Sequence, residues 1–412
     1  MTGLPASPVG RTVRAARSGR TFFLLTALLA VLGAACAASA GSDSGLPAVP
    51  GAPVTTVPLN SDPLLAAPDT GDPTPGASID ALAGAPPDPG SVDIDPEAVG
   101  FSPGSMVLDL SPEALNEDLD RMVELGAQWI RLDFDWSRIE AERGRFDWST
   151  TDERVIAARR RGLRVLGVLA YTPAWAREDQ SSDKAPPDDF EDFSRFATAA
   201  VTRYGEHVRA WEVWNEPNVA TFWHPHPDPQ AYGKLLEVAA TAVRSVDRDA
   251  LIISGGLAPA VDVEGSELSP ETFLERLYES VPSGSFDAVG VHPYTYPGFP
   301  TDDQPWNTFA RLPELRAVMI DHGDDRKRLW ITEYGAPTGA ADRAVSEDDQ
   351  ARMVAEAIIE TRDLPWVGPL FVYALRDHPE GRADDIEAHF GVLRADGAEK
   401  VAAAELARLL DG

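Results

Sequence analysis

The chain has 412 residues, 43% of them hydrophobic, with 36 basic and 66 acidic side chains and a net charge of −30. That apolar share can fill a large core and excludes a wholly disordered chain, while the acidity excludes nucleic acid as a partner, because no positive stripe is offered to phosphates. A single cysteine excludes an intrachain disulfide, a thiolate zinc site and an iron–sulfur cluster.

Residues 1–40 read as an export signal. Arg11, Arg14, Arg17 and Arg20 precede the apolar run from Phe22 to Ala35, and Ala38-Ser39-Ala40 offers a cleavage site. No two of these arginines are adjacent, which favours general secretion over a twin-arginine route. The cysteine, Cys36, closes Leu32-Gly33-Ala34-Ala35-Cys36, which resembles a bacterial lipoprotein signal with leucine one place further upstream than usual. Cleavage after Ala40, lipidation at Cys36 and an uncleaved anchor all stay open, since no charge falls between Arg20 and Asp43. Each puts the protein outside the cytoplasm, extracellular or tethered to the outer face of the cytoplasmic membrane. Residues 41–99 hold 12 of the 35 prolines and nine acids, with no lysine, arginine or aromatic residue. Such a stretch cannot bury enough apolar surface to offset its ordering entropy, so it is predicted to be an extended linker.

Residues 100–412 read as one domain. All ten tryptophans lie in it, and strand-like runs alternate with helix-like stretches. The runs are Ser105–Leu108, Trp129–Phe134, Leu163–Ala170, Val208–Trp214, Leu251–Ser254, Phe286–His292, Leu329–Glu333 and Leu370–Leu375. Helical spacing shows in Leu115, Leu119 and Met122 after Ser111-Pro112, in Phe193, Phe196, Ala200 and Val201, and in Leu235, Leu236, Ala239 and Val243. Ser269-Pro270 and Ser346, with Asp349 three residues on, look like helix caps. Eight strand–helix units predict an α/β fold, a (β/α)8 barrel, with a doubly wound open sheet as the structural alternative.

In such a barrel the site is built at the C-terminal ends of the strands. Alternation in Trp129–Trp136 puts Arg131, Asp133 and Asp135 on one face, which should look toward the barrel axis. The fourth and seventh runs end in Trp214-Asn215-Glu216-Pro217-Asn218 and Thr332-Glu333-Tyr334-Gly335, the sixth in His292-Pro293-Tyr294. Two glutamates facing one another across a barrel mouth suit glycosidic hydrolysis, where one carboxyl protonates the leaving oxygen and the other attacks carbon or activates water. A structural ion pair with Asp133 or Asp135 is the rival account of Arg131. Trp175, Trp223, Trp306, Tyr296 and Phe299 are candidate sugar platforms, equally readable as loop packing. His224-Pro225-His226 has no third ligand for a metal, and Gly255-Gly256 reads as a turn.

Trp-Asn-Glu-Pro-Asn at 214–218 with Trp-Ile-Thr-Glu-Tyr-Gly at 330–335 resembles the clan A retaining glycoside hydrolases, most closely the cellulase-type family 5 and the xylosidase-like family 39. The resemblance runs over about residues 100–400. It implies Glu216 as acid/base and Glu333 as nucleophile, with Asn215 binding the sugar 2-hydroxyl and Arg131 holding the nucleophile's carboxylate. It also implies that His292 and Tyr294 complete the subsite. Many members carry a tryptophan sugar platform at the end of strand eight; here that stretch is Phe371-Val372-Tyr373-Ala374-Leu375, and Tyr373 is the candidate replacement. The expected protein is an exported glycosidase acting on a polysaccharide or oligosaccharide, with neither metal nor organic cofactor. A catalytically silent carbohydrate-binding protein and a transglycosylase are the alternatives.

Overall fold

The computed structural model describes residues 94–410. Within them eight parallel strands close a barrel in sequence order: β1 (Val99–Phe101), β2 (Trp129–Asp135), β3 (Arg164–Ala170), β4 (Ala210–Asn215), β5 (Leu251–Leu257), β6 (Ala288–Val291), β7 (Arg328–Tyr334) and β8 (Val367–Val372). The open sheet is thereby ruled out. Among the helices between them are α1 (Pro112–Glu124), the short α2 (Trp136–Ile139), α3 (Ser149–Arg160), α4 (Phe190–Tyr204), α5 (Pro229–Val246), α6 (Pro270–Tyr278), α7 (Leu312–Asp321) and α8 (Glu347–Arg362), and α9 (Val401–Leu410) follows β8.

The helix starts are legible in the sequence. The Ser111, Ser269 and Ser346 hydroxyls accept from the backbone N–H three residues on, satisfying one of the donors that a helix start leaves open. Proline occupies the first turn of α1, α5 and α6, where its missing N–H costs nothing.

Strand alternation divides the barrel interior into two storeys. The lower is an apolar plug of Trp129, Leu166, Ala210, Ile253, Ala288, Trp330 and Phe371, one residue from each of β2 to β8, closed from below by Ala98. Trp129 meets Trp330 and Phe371 edge-on at 5.6 and 6.2 Å, the geometry that the ring quadrupole favours. Two residues higher on their strands the inward positions change to Arg131, Glu212 and Thr332, all buried. The outward residues Ile130, Leu132 and Phe134 join the core under the helices.

Three sequence expectations shift. Ser105–Leu108 is not a strand but part of a 3-10 turn, Ser105–Asp109, entered through Gly104 at φ 69°. Its carbonyls find a side chain instead of a neighbouring strand, because Arg154 donates to Val107, Leu108 and Leu110. The first strand is Val99–Phe101, so the barrel begins inside the stretch read as linker, with Ile94 already packed against the plug. β8 lies three residues earlier than expected. Its partner β1 stops at Phe101, paired with Val372, which leaves Tyr373–Leu375 beyond the ladder and at the mouth. Among the described residues no helix is long and apolar enough to cross a membrane. The expected signal, Cys36 and nearly all of the linker lie outside the described residues.

Candidate active site

β4 delivers the first carboxyl through a sharp bend. Trp214 and Glu216 have φ of 71° and 45°, left-handed conformations that cost roughly 1–3 kcal/mol each for a residue with a side chain. Packing holds the bend. The Trp214 indole N–H donates to the Phe222 carbonyl at 2.6 Å, its ring meets Tyr171 and Trp223 edge-on, and the Glu216 N–H donates to the Gly256 carbonyl. Glu216 is then 6% exposed, with Oε1 at 2.9 Å from Nδ1 of His292, the residue after β6.

β7 delivers the second. Glu333 Oε1 accepts from Arg131 Nη1 at 2.6 Å and from the Ser102 hydroxyl at 3.3 Å; its Oε2 accepts from the Tyr294 hydroxyl at 2.7 Å. Oxygens of the two carboxyls lie within 4.8 Å of one another, and both reach His292 Nδ1, at 2.9 and 3.6 Å.

Arg131 organises the floor. Its Nε donates to Glu212 at 2.6 Å, Nη1 to Glu333 and Nη2 to Asn215 Oδ1 at 2.7 Å. The rival ion pair is therefore not made with Asp133 or Asp135. Asp135 instead caps α2 and accepts from the Ser137 hydroxyl. Fully buried Glu212 also accepts from the Gly256 N–H and the Thr332 hydroxyl. Because Thr332 gives its proton to Glu212, it must accept from His292 Nε2, 3.0 Å away. His292 Nδ1 is then left to share a proton with Glu216.

The environments separate the pair. Burial raises Glu216, outweighing what His292 takes off. Burial also raises Glu333, but the charges of His292 and Arg131 and the Tyr294 and Ser102 hydrogen bonds reverse this and hold it below the usual carboxylate range. Burial lowers His292, and the two glutamates more than offset it. The two surroundings push the pair apart, favouring the proton on Glu216 and the charge on Glu333. Glu216, His292 and Glu333 are also the one His and carboxylate grouping among the described residues compact enough for a cation. The His292–Glu216 hydrogen bond, and the Arg131 and Tyr294 contacts that fix Glu333, already account for that closeness. His224 only approaches Asp179, at 3.5 Å.

The family model for Cellulase (glycosyl hydrolase family 5) matches residues 93–368, more than half of the chain. The chain belongs to that family. This family 5 chain is 48% identical over 165 residues to a β-xylosidase of Geobacillus stearothermophilus, covering 36% of this chain and 32% of that protein. A β-xylosidase of Caldicellulosiruptor saccharolyticus is 28% identical over 199 residues, 44% of this chain and 37% of the relative. The chain thus spans about a third of the length of these curated relatives. A family 39 glycoside hydrolase from Bacteroides cellulosilyticus WH2 shares the fold at TM-score 0.62 and 23% identity, over 76% of this chain and 63% of that one.

Not every expected residue of this family 5 chain reaches the mouth. Trp223 is 1% exposed and sealed between Trp214 and Tyr232. It buttresses the β4 bend and cannot be a sugar platform, a correction to the sequence expectation. Trp175 is half-buried in the loop after β3 and packs on the loop after β2, where its indole donates to the Glu140 carbonyl and Arg143 covers its ring at 5.0 Å. Tyr373 follows β8, half-buried, edge-on to Tyr294 at 6.3 Å and to Phe390 at 5.2 Å. Gly255-Gly256 is not a turn but part of β5. A Cβ on Gly256 would lie 2.1 Å from His292 Nε2, so glycine is what lets the histidine lie against the strand.

Three residues in or near the site escaped sequence reasoning. Glu212 was legible in principle, as an acid at an inward position two residues past Ala210. Ser102 directly follows a strand that the sequence reading placed elsewhere. Glu387 stands 14 residues beyond Tyr373 in an acid-rich loop with no pattern to mark it.

Proposed function

We propose that this family 5 chain is an exported retaining glycoside hydrolase acting on β-linked oligosaccharide or polysaccharide. The observation that carries the reading is the close pair of carboxyls in opposite electrostatic surroundings. Glu216 and Glu333 oxygens come within 4.8 Å, in keeping with the roughly 5–5.5 Å carboxyl spacing of retaining enzymes and short of the roughly 6.5–9.5 Å that leaves room for a water.

In the first step the Glu333 carboxylate attacks the anomeric carbon while Glu216 gives its proton to the departing oxygen. The C–O bond to the leaving group breaks as the glycosyl ester on Glu333 forms. In the second step Glu216, now a carboxylate, takes a proton from water. The water oxygen bonds to the anomeric carbon and Glu333 leaves. Arg131 and Tyr294 keep Glu333 ionised before attack, and His292 holds the Glu216 carboxyl in place. Asn215, its carbonyl engaged by Arg131, has its amide N–H groups for the sugar 2-hydroxyl. The relatives named β-xylosidase make aryl β-xylosides the first substrates to try, and the arginine-led, apolar N-terminus supports export.

The test is a pair of variants. Glu333→Ala should nearly abolish turnover on every substrate. Glu216→Ala should spare the first step for aryl glycosides whose leaving groups need no proton, and azide should restore its second step. Activity that survives both substitutions on a confirmed substrate would refute the mechanism. Product analysis with added acceptor sugars separates hydrolysis from transglycosylation, and a chain that binds glycans without turning any over would be the silent binding protein.

A further inference from the structure

The segment after β8 folds back over the mouth and is fastened there. Residues 374–378 run beside 388–393 through the bonds Ala374 N–H to Phe390, His378 N–H to Ala388 and Asp377 N–H to Leu393. Lys400, 3% exposed, donates to Asp377 Oδ1 and Thr338 Oγ1 at 2.8 Å each, tying this segment to the one after β7. The Phe390 ring lies 5.8 Å from Tyr294, 5.4 Å from Tyr296 and 5.2 Å from Tyr373. The segment is therefore seated on the aromatic rim beside the hydroxyl that contacts Glu333.

Glu387 stands three residues before Phe390, in the short 3-10 turn Ile386–His389 that Asp385 caps. Its carboxyl is half-buried and, among the described residues, has no hydrogen-bond or ion-pair partner. Most buried polar groups have a partner, and every other carboxyl at this mouth except Asp133 is engaged. Glu387 interacts electrostatically with Glu216 and Glu333 and with Tyr296 and Tyr373. Burial, with the charges of Glu216 and Glu333, pushes it up to about 8. At neutral pH it is a carboxylic acid that can both donate and accept.

We propose that Glu387 is a specificity residue, one that binds a hydroxyl group of the sugar held between Glu216 and Glu333. The inference rests on the glycoside hydrolase reading above. It follows from the placement: a half-buried carboxyl with open hydrogen-bonding capacity, in a turn seated on the rim of a site where Glu216, Glu333 and Glu212 already have partners. The substrate class it fits is a sugar presenting a hydroxyl at this rim, to which a neutral carboxyl can both donate and accept.

The experiment compares kcat/KM of the full chain and its variants on an aryl β-glycoside and on the monodeoxy analogues of that glycoside. The starting sugar is whichever of xyloside, glucoside and mannoside is turned over fastest. One analogue should be about 10- to 100-fold worse than the parent for the unaltered protein, as expected when one hydrogen-bonding group is left without its partner. For Glu387→Ala the parent should fall by a similar factor and that same analogue should lose nothing further. Glu387→Gln, whose amide also donates and accepts, should recover most of the parent activity, which a merely disrupted loop would not. If Glu387→Ala shows the same deoxy penalties as the unaltered protein while Glu333→Ala is inactive, the proposal is overturned alone. If Glu333→Ala remains active, the underlying mechanism falls and this inference with it.

Discussion

Arg131→Lys keeps the positive charge and removes the fork. The guanidinium makes three short contacts at 2.6, 2.6 and 2.7 Å with Glu212, Glu333 and Asn215 and a longer one to Ser102, whereas a shorter side chain ending in a compact ammonium lacks the planar fork that reaches all of them at once. Hydrogen bonds to charged groups contribute about 1.5–3 kcal/mol each, and leaving a buried charge without its partner costs about 3–5 kcal/mol. The losses overlap, because one side chain carries both, so a net destabilisation of about 3–5 kcal/mol is expected. At about 2–4 °C per kcal/mol for a domain of this size, the melting temperature should fall by about 6–20 °C. The catalytic consequence has a sign. Arg131 helps to hold Glu333 below the usual carboxylate range, so weakening that contact raises the Glu333 pKa. The acid limb of kcat/KM against pH, where Glu333 must lose its proton in the free enzyme, should then move to higher pH. The assay is thermal melting together with a pH profile on an activated aryl glycoside. An acid limb that stays in place, with melting unchanged, would refute the assignment of Arg131 as the residue that keeps Glu333 ionised.

Gly256→Ala should lower activity and melting temperature together, because its methyl group overlaps His292 Nε2 and also comes within 2.6 Å of Thr332 Oγ1; unchanged kcat/KM would show that the histidine does not need that seat. Neutral xylans, glucans or mannans should be cleaved faster than pectin or alginate. The chain is strongly acidic, and Arg376, a cation that might have offset this, is already engaged by Asp118 and Glu117; faster turnover on the uronate polymers would contradict this. Cys36→Ala should release the protein from membranes if it is a lipoprotein and leave its distribution unchanged if a peptidase cuts after Ala40, whereas full-length protein retained in the cytosol would refute export altogether.

Periodicity carried most of the barrel. β2, β3 and β7 fall within a residue or two of their apolar runs, because each is a full strand with both neighbours present. β1 was missed because only three residues are paired, too few for an alternation to register, and the apolar Val107 and Leu108 nearby are buried for a different reason. At the site, Glu216 and Glu333 were visible because a motif surrounds each, and the axial placement of Arg131 followed from alternation. Its partners did not, since Glu212 is 81 residues away along the chain and Glu333 is 202. Trp223 shows the opposite failure. An aromatic in the loop after β4 has the composition of a sugar platform, but the Trp214 bend needed a buttress, and only three-dimensional packing distinguishes the two roles.

The central claim is that Glu333 carries the sugar between the two chemical steps. Incubation with an activated 2-deoxy-2-fluoro-β-glycoside should slow both steps and allow the ester to accumulate, and peptide mapping by mass spectrometry would then locate the label. One fluoroglycosyl group per chain is expected, on the peptide containing Glu333 and absent from Glu333→Ala. Label on a different residue, or steady turnover with inverted product configuration and no labelled chain, would contradict it.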